Sequence, residues 1–364
     1  MKIEELVSKF NVKGEFAYST GNDNGLINAT YIITTKDGGK PYKYVLQKIN
    51  HNTFKQVDKL MENIKMVTEH ARKRVLERGG DVDRECLNLV LTKDEKLYYY
   101  DQNGDGYYRM YKFIHNATAP ETMQSPEDFY SCAYAFGSFA QMLSTFEPQM
   151  LHETIPNFHN TKVRYQTFEK AIEKDVCDRV KEVEKEIQFI RDRKNYASKI
   201  VDLLESGQIP VRVTHNDTRL NNIMMDDITG KAVVVIDLDT VMAGSVLYDF
   251  GDSIRSGCNP RGDDEKDLSK VVFNVELFEQ YVKGYLEALK GTITQTEKEN
   301  LLWGAIVITY EQGIRFLTDY LEGDVYFKTT HRYQNLIRTR AQLKMVADME
   351  DKFDELKEIV KKYM

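Results

Sequence analysis

The chain has 364 residues, of which 41% are hydrophobic, and its formal net charge is −7. This length is enough for a large core or two lobes, and the acidic, well-mixed composition argues against nucleic acid as a partner. Four scattered cysteines without a C-x-x-C pair argue against a disulfide framework or a zinc site. Because the N-terminus lacks a charged-then-apolar signal pattern and no apolar run reaches membrane-spanning length, we expect a cytoplasmic protein without a membrane partner.

The first 112 residues predict a small β-sheet that carries one main helix. Apolar residues recur at helical spacing over residues 54–70, and β-prone runs precede and follow this stretch. Clusters of turn-forming residues separate the early runs, as expected for antiparallel strands. The β-prone runs lie at residues 16–20, 30–35, 42–49, 87–91, 97–100 and 107–114.

The remainder of the chain is predicted to be mostly helical. One exception is a predicted hairpin, in which residues 223–225 and 232–236 flank the turn-forming stretch 227–230. Elsewhere, apolar residues recur at helical spacing on a charged background. The stretches with this spacing are residues 126–146, 162–204, 273–289, 297–321 and 339–361.

The segment 215–222 and the hairpin carry the most specific chemical pattern. Asp217 precedes Asn222 by five residues, and Asp237 follows the β-branched run of the hairpin. In kinases, an aspartate of this kind accepts or orients the attacking hydroxyl, while an asparagine and a later aspartate hold Mg²⁺ on the phosphates of ATP. We therefore predict Asp217 as the catalytic base and Asn222 and Asp237 as metal ligands. The structural alternative for Asp217 is a loop aspartate that caps a turn.

This pattern and the order of elements together predict an α+β, bilobal, protein-kinase-like fold. The predicted parts are an N-terminal nucleotide-binding lobe (1–112) with a small antiparallel sheet and one main helix, a hinge (113–118), and a larger, mostly helical lobe (119–364) with the catalytic hairpin.

Three further aspartates follow Asp237. Asp239 lies two residues later, and on a continuing strand both side chains would point to one face, so Asp239 either supports the metal site or contacts substrate. Residues 249–251 spell the Asp-Phe-Gly triplet of protein kinases but do not follow a strand. We therefore predict structural roles for Asp249 and Asp252, such as capping a helix or anchoring the catalytic loop.

The N-terminal lobe offers candidates for ATP binding. Gly21 and Gly25 lie between two predicted strands and belong either to a phosphate-covering hairpin or to an ordinary turn. Phe113 lies in the predicted hinge, against which ATP is expected.

A lysine and a glutamate in this lobe resemble the kinase pair that holds the α- and β-phosphates. Lys48 ends a predicted strand, and Glu62 lies on the helix that follows. The alternative is two solvated surface charges. Gln47 has the opposite strand orientation and competes with Lys48 for the phosphate-binding position.

Three strings in the second lobe resemble the N-acetylhexosamine 1-kinases of the aminoglycoside phosphotransferase and choline kinase superfamily. They are His-Asn-Asp-Thr-Arg-Leu-Asn-Asn at 215–222, Val-Ile-Asp-Leu-Asp-Thr-Val-Met at 235–242 and Tyr-Asp-Phe-Gly-Asp-Ser-Ile-Arg at 248–255. One departure is Ala243, where proline is expected. Further similar segments spread the resemblance over most of the chain, at residues 25–31, 44–50, 60–64 and 315–321.

The resemblance implies ATP and Mg²⁺ as cofactors and N-acetylglucosamine or N-acetylgalactosamine as a substrate phosphorylated on its anomeric hydroxyl. It implies sugar contacts from Asp217, Arg315, Tyr326, Asn28 and Asp239. The alternatives without a role in sugar binding are that Arg315 is a helix-surface arginine and that Tyr326 is a packed aromatic residue.

Two other functions stay open from the sequence. A kinase of the same fold for a cationic substrate, such as choline or an aminoglycoside, is compatible with the acidic stretch 263–265. The other is a nucleotide-binding regulator without catalysis, which the presence of all three catalytic and metal positions disfavours.

Overall fold

An antiparallel five-stranded sheet forms the N-terminal part of the protein. The computed structural model describes residues 1–22, 28–104, 106–120 and 125–364. The strands are ordered β1-β2-β3-β5-β4, and the two helices of this part are α1 (Ile3–Val7) and α2 (Val57–Glu77). The strands are β1 (Glu15–Asn22), β2 (Ala29–Asp37), β3 (Lys40–Ile49), β4 (Tyr99–Asp101) and β5 (Gly106–Lys112).

Alternation along β3 gives the sheet two different faces. Tyr44 and Leu46 pack with Leu6 and Val7 of α1 on what we call the outer face. The intervening side chains of β3 point to the inner face, where Ile49 joins the main core of the protein. The inner face is therefore the one that meets the helical part.

The helical part is built around a long buried helix, α10 (Leu301–Glu322). The predicted helical stretch 162–204 is three helices, because Asp175 takes a left-handed conformation (φ 38°) and ends the first of them. The other helices are α3 (Pro126–Met142), α4 (Thr161–Lys174), α5 (Glu184–Asp192), α6 (Lys199–Glu205), α7 (Val246–Gly257), α8 (Val275–Ala288), α9 (Gln295–Glu299), α11 (Gln334–Asp351) and α12 (Phe353–Tyr363).

Short strands between these helices flank the segment 215–222. The predicted hairpin is present as β8 (Ile223–Asp226) and β9 (Ala232–Val235). β6 (Ala117–Thr118) pairs with β8, and β7 (Arg212–Thr214) pairs with β10 (Met242–Gly244). Residues 215–222 thus connect β7 to the hairpin.

The architecture confirms the predicted α+β fold, with an antiparallel N-terminal sheet and a helical C-terminal part. One hydrophobic cluster includes Ile49 and Tyr111 of the sheet as well as Ile223 and Leu238 of the helical part, so the two parts share a core. The lobe boundaries at 112 and 118 stay a prediction. Among the described residues, no helix combines the length and apolar character needed to cross a bilayer.

Candidate active site

A buried aspartate on α7 holds the backbone of the catalytic loop. The Asp249 carboxylate accepts hydrogen bonds from the amides of His215 (2.9 Å) and Asn216 (2.7 Å), and Asn216 itself has a φ of 63°. Burial raises the pKa of Asp249 to about 6, although the two amides act in the opposite direction. These bonds agree with the anchoring role predicted for Asp249, and they offset part of the strain of a left-handed residue.

Asp217 is held within this loop by a neighbour that the sequence reasoning missed. Nε and Nη2 of Arg219 donate to its two carboxylate oxygens at 2.6 and 2.9 Å. Burial favours the protonated acid, but the Arg219 guanidinium outweighs it and keeps the pKa of Asp217 below its usual range. Asp217 is therefore ionised at neutral pH and able to accept a proton. The signal for Arg219 was its position two residues after the base.

The predicted metal ligands are adjacent across the hairpin. The amide of Ile236 donates to the carbonyl of Asn222 at 2.8 Å, which places Asn222 beside Asp237. Nδ2 of Asn222 donates to the carbonyl of Asp217 at 2.8 Å, so its amide oxygen is the atom suited to a cation. Burial, together with the charges of Asp239 and Asp217, raises the pKa of Asp237 to about 7.

These residues fit a hydrated Mg²⁺ ion that also binds phosphate. A cation would relieve the repulsion between Asp237 and the carboxylates of Asp217 and Asp239. Within the described part of the chain, no group of three or more His, Cys, Asp or Glu side chains is arranged to hold a metal. Two protein ligands match Mg²⁺, which keeps several waters and takes its other ligands from phosphates.

Asp239 and Asn28 belong to a buried bridge between the two parts of the protein. Asp239 forms an ion pair with the fully buried Arg109 of β5, and it accepts a hydrogen bond from Nδ2 of Asn28 at 2.7 Å. Nε of Arg109 donates to Gln47 at 2.9 Å, and the Asn50 amide donates to Asn28 at 2.9 Å. Asn28 and Asp239 therefore bind each other and the sheet, and their contact with the sugar stays a prediction.

The reason for the position of Asp239 lies in the backbone after β9. Asp237 adopts a left-handed conformation (φ 58°, ψ 61°), and residues 238–240 form a short 3₁₀ turn. The strand therefore does not continue to Asp239, and the two aspartates do not share a strand face. The signal for Arg109 was a charged residue in the middle of β5, between Tyr108 and Met110.

Lys48 and Glu62 do not form the predicted ion pair. Lys48 pairs in register with Tyr108 and shares the outer face of the sheet with Leu46. Glu62 is exposed and hydrogen-bonded to Nε2 of His152 at 2.6 Å. Because alternate residues of a strand face opposite sides, Gln47 occupies the inner-face position instead. Of the two candidates for the phosphate-binding position, this placement favours Gln47 over Lys48.

The remaining ATP-site candidates lie at the sheet edge and the hinge. Gly21 has a φ of 109°, and a Cβ there would lie 2.6 Å from the carbonyl oxygen of Thr30, so only glycine fits this position of the hairpin. Gly25 lies outside the described residues. Phe113 is half-buried directly after β5, and its amide donates to the Lys43 carbonyl at 3.2 Å.

A cavity of about 530 Å³ opens beside Asp217, and Arg315 and Tyr326 both line it. The guanidinium carbon of Arg315 lies 5.2 Å from the ring centre of Phe158, 5.9 Å from that of Tyr326 and 5.5 Å from that of Phe327. We call this set of three rings the aromatic cage. A larger open groove of about 1400 Å³ lies between α2 and residues 87–102, but it has no catalytic-loop residue in its lining.

The acidic side chains that line the cavity all have polar partners. Arg315, in contrast, forms no ion pair with any carboxylate of the described residues and donates to Gln312 at 3.0 Å. Each carboxylate of the cavity lining thus has at least one polar partner, whereas the Arg315 guanidinium has no carboxylate of the described residues bound directly to it and interacts only through its charge with the nearby Glu311. The pairs are Asp217 with Arg219, Asp252 and Asp263 with Arg255, Asp264 with Arg338, and Glu311 with His159.

Solved structures of kinases and phosphotransferases share this fold. An aminoglycoside phosphotransferase from Alicyclobacillus acidocaldarius is 12% identical, with a TM-score of 0.64 over 100% of this chain and 97% of that one. A microcompartment-associated aminopropanol kinase is 14% identical, with a TM-score of 0.61 over 97% and 98%. A spectinomycin phosphotransferase in complex with ADP and spectinomycin is 13% identical, with a TM-score of 0.56 over 98% and 96%.

The family is shown by the sequence itself. The sequence model of the APH family, described as a phosphotransferase enzyme family, matches residues 20–295. This span includes the catalytic loop, the hairpin and Asp249. The chain therefore belongs to the APH phosphotransferase enzyme family.

Proposed function

We propose that this phosphotransferase is an ATP-dependent kinase that phosphorylates the anomeric hydroxyl of N-acetylhexosamines, namely N-acetylglucosamine or N-acetylgalactosamine. The observation that carries the proposal is the charge pattern of the cavity beside Asp217. Each of its carboxylates has a polar partner, whereas the Arg315 guanidinium lines the cavity with no carboxylate of the described residues bound directly to it. A neutral, oxygen-rich acceptor suits this arrangement, because its hydroxyl and carbonyl oxygens accept from such a donor.

Asp217 lies where the cavity meets the hairpin, so an acceptor hydroxyl in the cavity would face it. In the proposed reaction Asp217 accepts or orients the proton of that hydroxyl as the oxygen attacks the γ-phosphate. Asn222 and Asp237 would hold Mg²⁺, which supplies charge neutralisation on the phosphates when it is bound. Arg219 is a further cation beside the reacting groups.

ATP itself would lie against the inner face of the sheet and the hinge. Gln47 of β3 and Arg109 of β5 are polar side chains on that face, and Nε of Arg109 donates to Gln47. Gly21 shapes the hairpin that would cover the phosphates, and Phe113 begins the hinge. The ADP named in the structure of the spectinomycin phosphotransferase supports a nucleotide in this fold.

A cationic acceptor fits the cavity less well. Ammonium groups are held by free carboxylates or by open aromatic faces. Here the carboxylates Asp263 and Asp264 pair with Arg255 and Arg338, and Arg315 already occupies the aromatic cage. A second cation would meet the Arg315 charge in a partly desolvated cavity, where repulsion is stronger than in water. This disfavours choline and aminoglycosides, although relatives of this fold carry such names.

An ADP-release screen with matched acceptors tests the proposal. N-acetylglucosamine and glucosamine differ only in that acetylation replaces an ammonium group with a neutral amide. We expect turnover with N-acetylglucosamine or N-acetylgalactosamine, much less with glucosamine, and none with choline or kanamycin. Turnover of choline, kanamycin or glucosamine without turnover of either N-acetylated sugar would refute the substrate assignment while leaving the family unaffected.

A further inference from the structure

One wall of the acceptor cavity is a short irregular loop after α10, residues 324–328. Val325 and Tyr326 are unusually exposed for their size, at 75% and 58%. An exposed loop without helical or strand hydrogen bonds normally samples many conformations. This loop has an internal anchor that gives it one conformation.

The anchor is the carboxylate of Asp319, which is 3% exposed near the end of α10. Three successive backbone amides donate to it, from Val325 (2.9 Å), Tyr326 (2.7 Å) and Phe327 (3.0 Å). A fourth hydrogen bond comes from Nδ2 of Asn335 at 2.7 Å. A single carboxylate therefore satisfies three consecutive donors of the loop.

A separate set of bonds fixes only the start of the loop. Asp324 has a φ of 62° and accepts from Nη1 of Arg179 (2.6 Å) and Nδ2 of Asn335 (2.9 Å). These contacts hold the turn that leaves α10. They do not reach residues 325–327, whose amides depend on Asp319.

The anchored backbone carries two rings of the aromatic cage. Phe327 lies 4.7 Å from the ring centre of Phe316 and 4.8 Å from that of Tyr326. Both Tyr326 and Phe327 lie within 6 Å of the Arg315 guanidinium, at 5.9 and 5.5 Å. The orientation of Arg315 therefore depends on where Asp319 places the loop.

We propose that Asp319 is a positioning residue that presets the aromatic wall of the acceptor site, so that acceptor binds a finished surface and does not have to order it. This inference rests on the proposed function only in assuming that the acceptor occupies this cavity. Without the carboxylate, the three amides would turn to water, and acceptor binding would have to restore a single loop conformation. Such ordering costs appear as weaker binding.

The variant Asp319→Asn tests this role, because the amide keeps the shape but accepts through one oxygen only. We expect the KM for acceptor to rise about tenfold, with kcat and the KM for ATP changing by less than about twofold. Asp348→Asn is the matched control: Asp348 is also buried and accepts the Phe273 amide at 3.1 Å, but it does not line the cavity. A change in all three kinetic constants, or the same pattern in the control, overturns the proposal.

A double-mutant cycle shows whether Asp319 acts through the wall. If it does, Asp319→Asn adds little to the acceptor KM of a Tyr326→Ala variant, because the ring to be positioned is already gone. Fully additive effects on the KM would mean that Asp319 does not act through Tyr326, which contradicts the proposal.

Two measurements decide the question without any acceptor. Tryptic cleavage after Lys328 should be faster in Asp319→Asn than in the wild type or Asp348→Asn. In the wild-type protein, amide hydrogen exchange at residues 325–327 should be slowed at least about tenfold relative to unprotected amides, despite the exposed side chains. Exchange at the unprotected rate would refute the anchor even if the variant does not fold. A failed acceptor screen would refute only the proposed function.

Discussion

The catalytic loop and the acceptor cavity are built in opposite ways. The loop, the hairpin and Asp239 occupy one stretch, residues 215–239, that is held mainly by hydrogen bonds to backbone. The cavity wall comes from distant segments around residues 158, 252–264, 308–316 and 326–338. Their electrostatics differ too: the carboxylates of Asp217 and Asp239 lie near Asp237, whereas the carboxylates of the cavity are paired with basic side chains. The predicted catalytic and metal residues are thus close together in the sequence, whereas the cavity proposed to hold the acceptor is assembled from distant segments.

The largest expected effect is on the local side of this comparison. Asp217→Asn should keep the fold and ATP binding but lower kcat by about 10²–10⁴-fold, because an amide cannot accept the proton. ADP release under saturating substrates, together with a thermal melt, measures both. Near-normal turnover would show that Asp217 only caps the loop.

Two buried aspartates of the catalytic stretch should respond in contrasting ways. Asp249→Asn should lower the free energy of unfolding by about 1–3 kcal/mol, since a buried backbone amide loses its acceptor. Asp237→Asn should leave stability unchanged or higher at about pH 8, because a carboxylate whose pKa is raised in the folded protein destabilises it when ionised.

The same two substitutions distinguish the predicted metal ligand, Asp237, from the residue that anchors the loop, Asp249. Asp237→Asn should raise the Mg²⁺ concentration needed for activity far more than Asp249→Asn does. Urea titrations and Mg²⁺ titrations of both variants measure the two properties. A larger Mg²⁺ effect for Asp249→Asn would mean that the Asp-Phe-Gly triplet supplies the metal ligand.

On the cavity side, Arg315→Ala should raise the KM for acceptor about tenfold or more, since a charged hydrogen bond is worth roughly 1.5–3 kcal/mol. The KM for ATP should hardly change. Arg340→Ala, which removes an arginine of α11 that pairs with Glu186 outside the cavity, is the matched control. Normal acceptor binding with a much lower melting temperature would make Arg315 a structural residue.

The crowding around Asp237 predicts a pH dependence. Its pKa of about 7 means that protons compete with Mg²⁺ at neutral pH. Lowering the pH from about 8 to about 6 should therefore weaken apparent Mg²⁺ affinity by about tenfold, and the affinity should level off above the pKa. Half-saturating Mg²⁺, corrected for protonation of ATP, measures this. A pH-independent value would show that Asp237 is not the ligand.

The smallest effect is expected for Lys48→Gln. Because Lys48 lies on the outer face of the sheet, the KM for ATP should change by no more than about twofold. Lys40→Gln, an exposed change on the same strand, serves as the reference. A tenfold rise for Lys48→Gln alone would show that this lysine reaches the phosphates after all.

The sequence predicted the fold, the hairpin and the anchoring role of Asp249 because these depend on local pattern and on contiguous motifs. It left Lys48 and Gln47 as alternatives for the phosphate-binding position, since a one-residue difference in strand orientation exchanges the two faces of a sheet. The role of Asp239 in joining the two parts was not predicted, because the strand ends at the left-handed Asp237. The apolar run before Asp237 contains no residue pattern that indicates this turn. Arg109, more than one hundred residues from Asp239 in the sequence, has no local signal for its partner.

The ion pair between Arg109 and Asp239 also sets a rule for recombining such enzymes. Its two charges come from different halves of the protein, and each would be buried alone if its partner were exchanged. An unpaired buried charge is far more harmful than the loss of the pair as a whole. In a chimera that takes its sheet from a relative, positions 28, 47 and 109 of the new sheet must therefore still carry Asn, Gln and Arg if Asp239 is kept. Otherwise all four residues must be replaced with apolar ones.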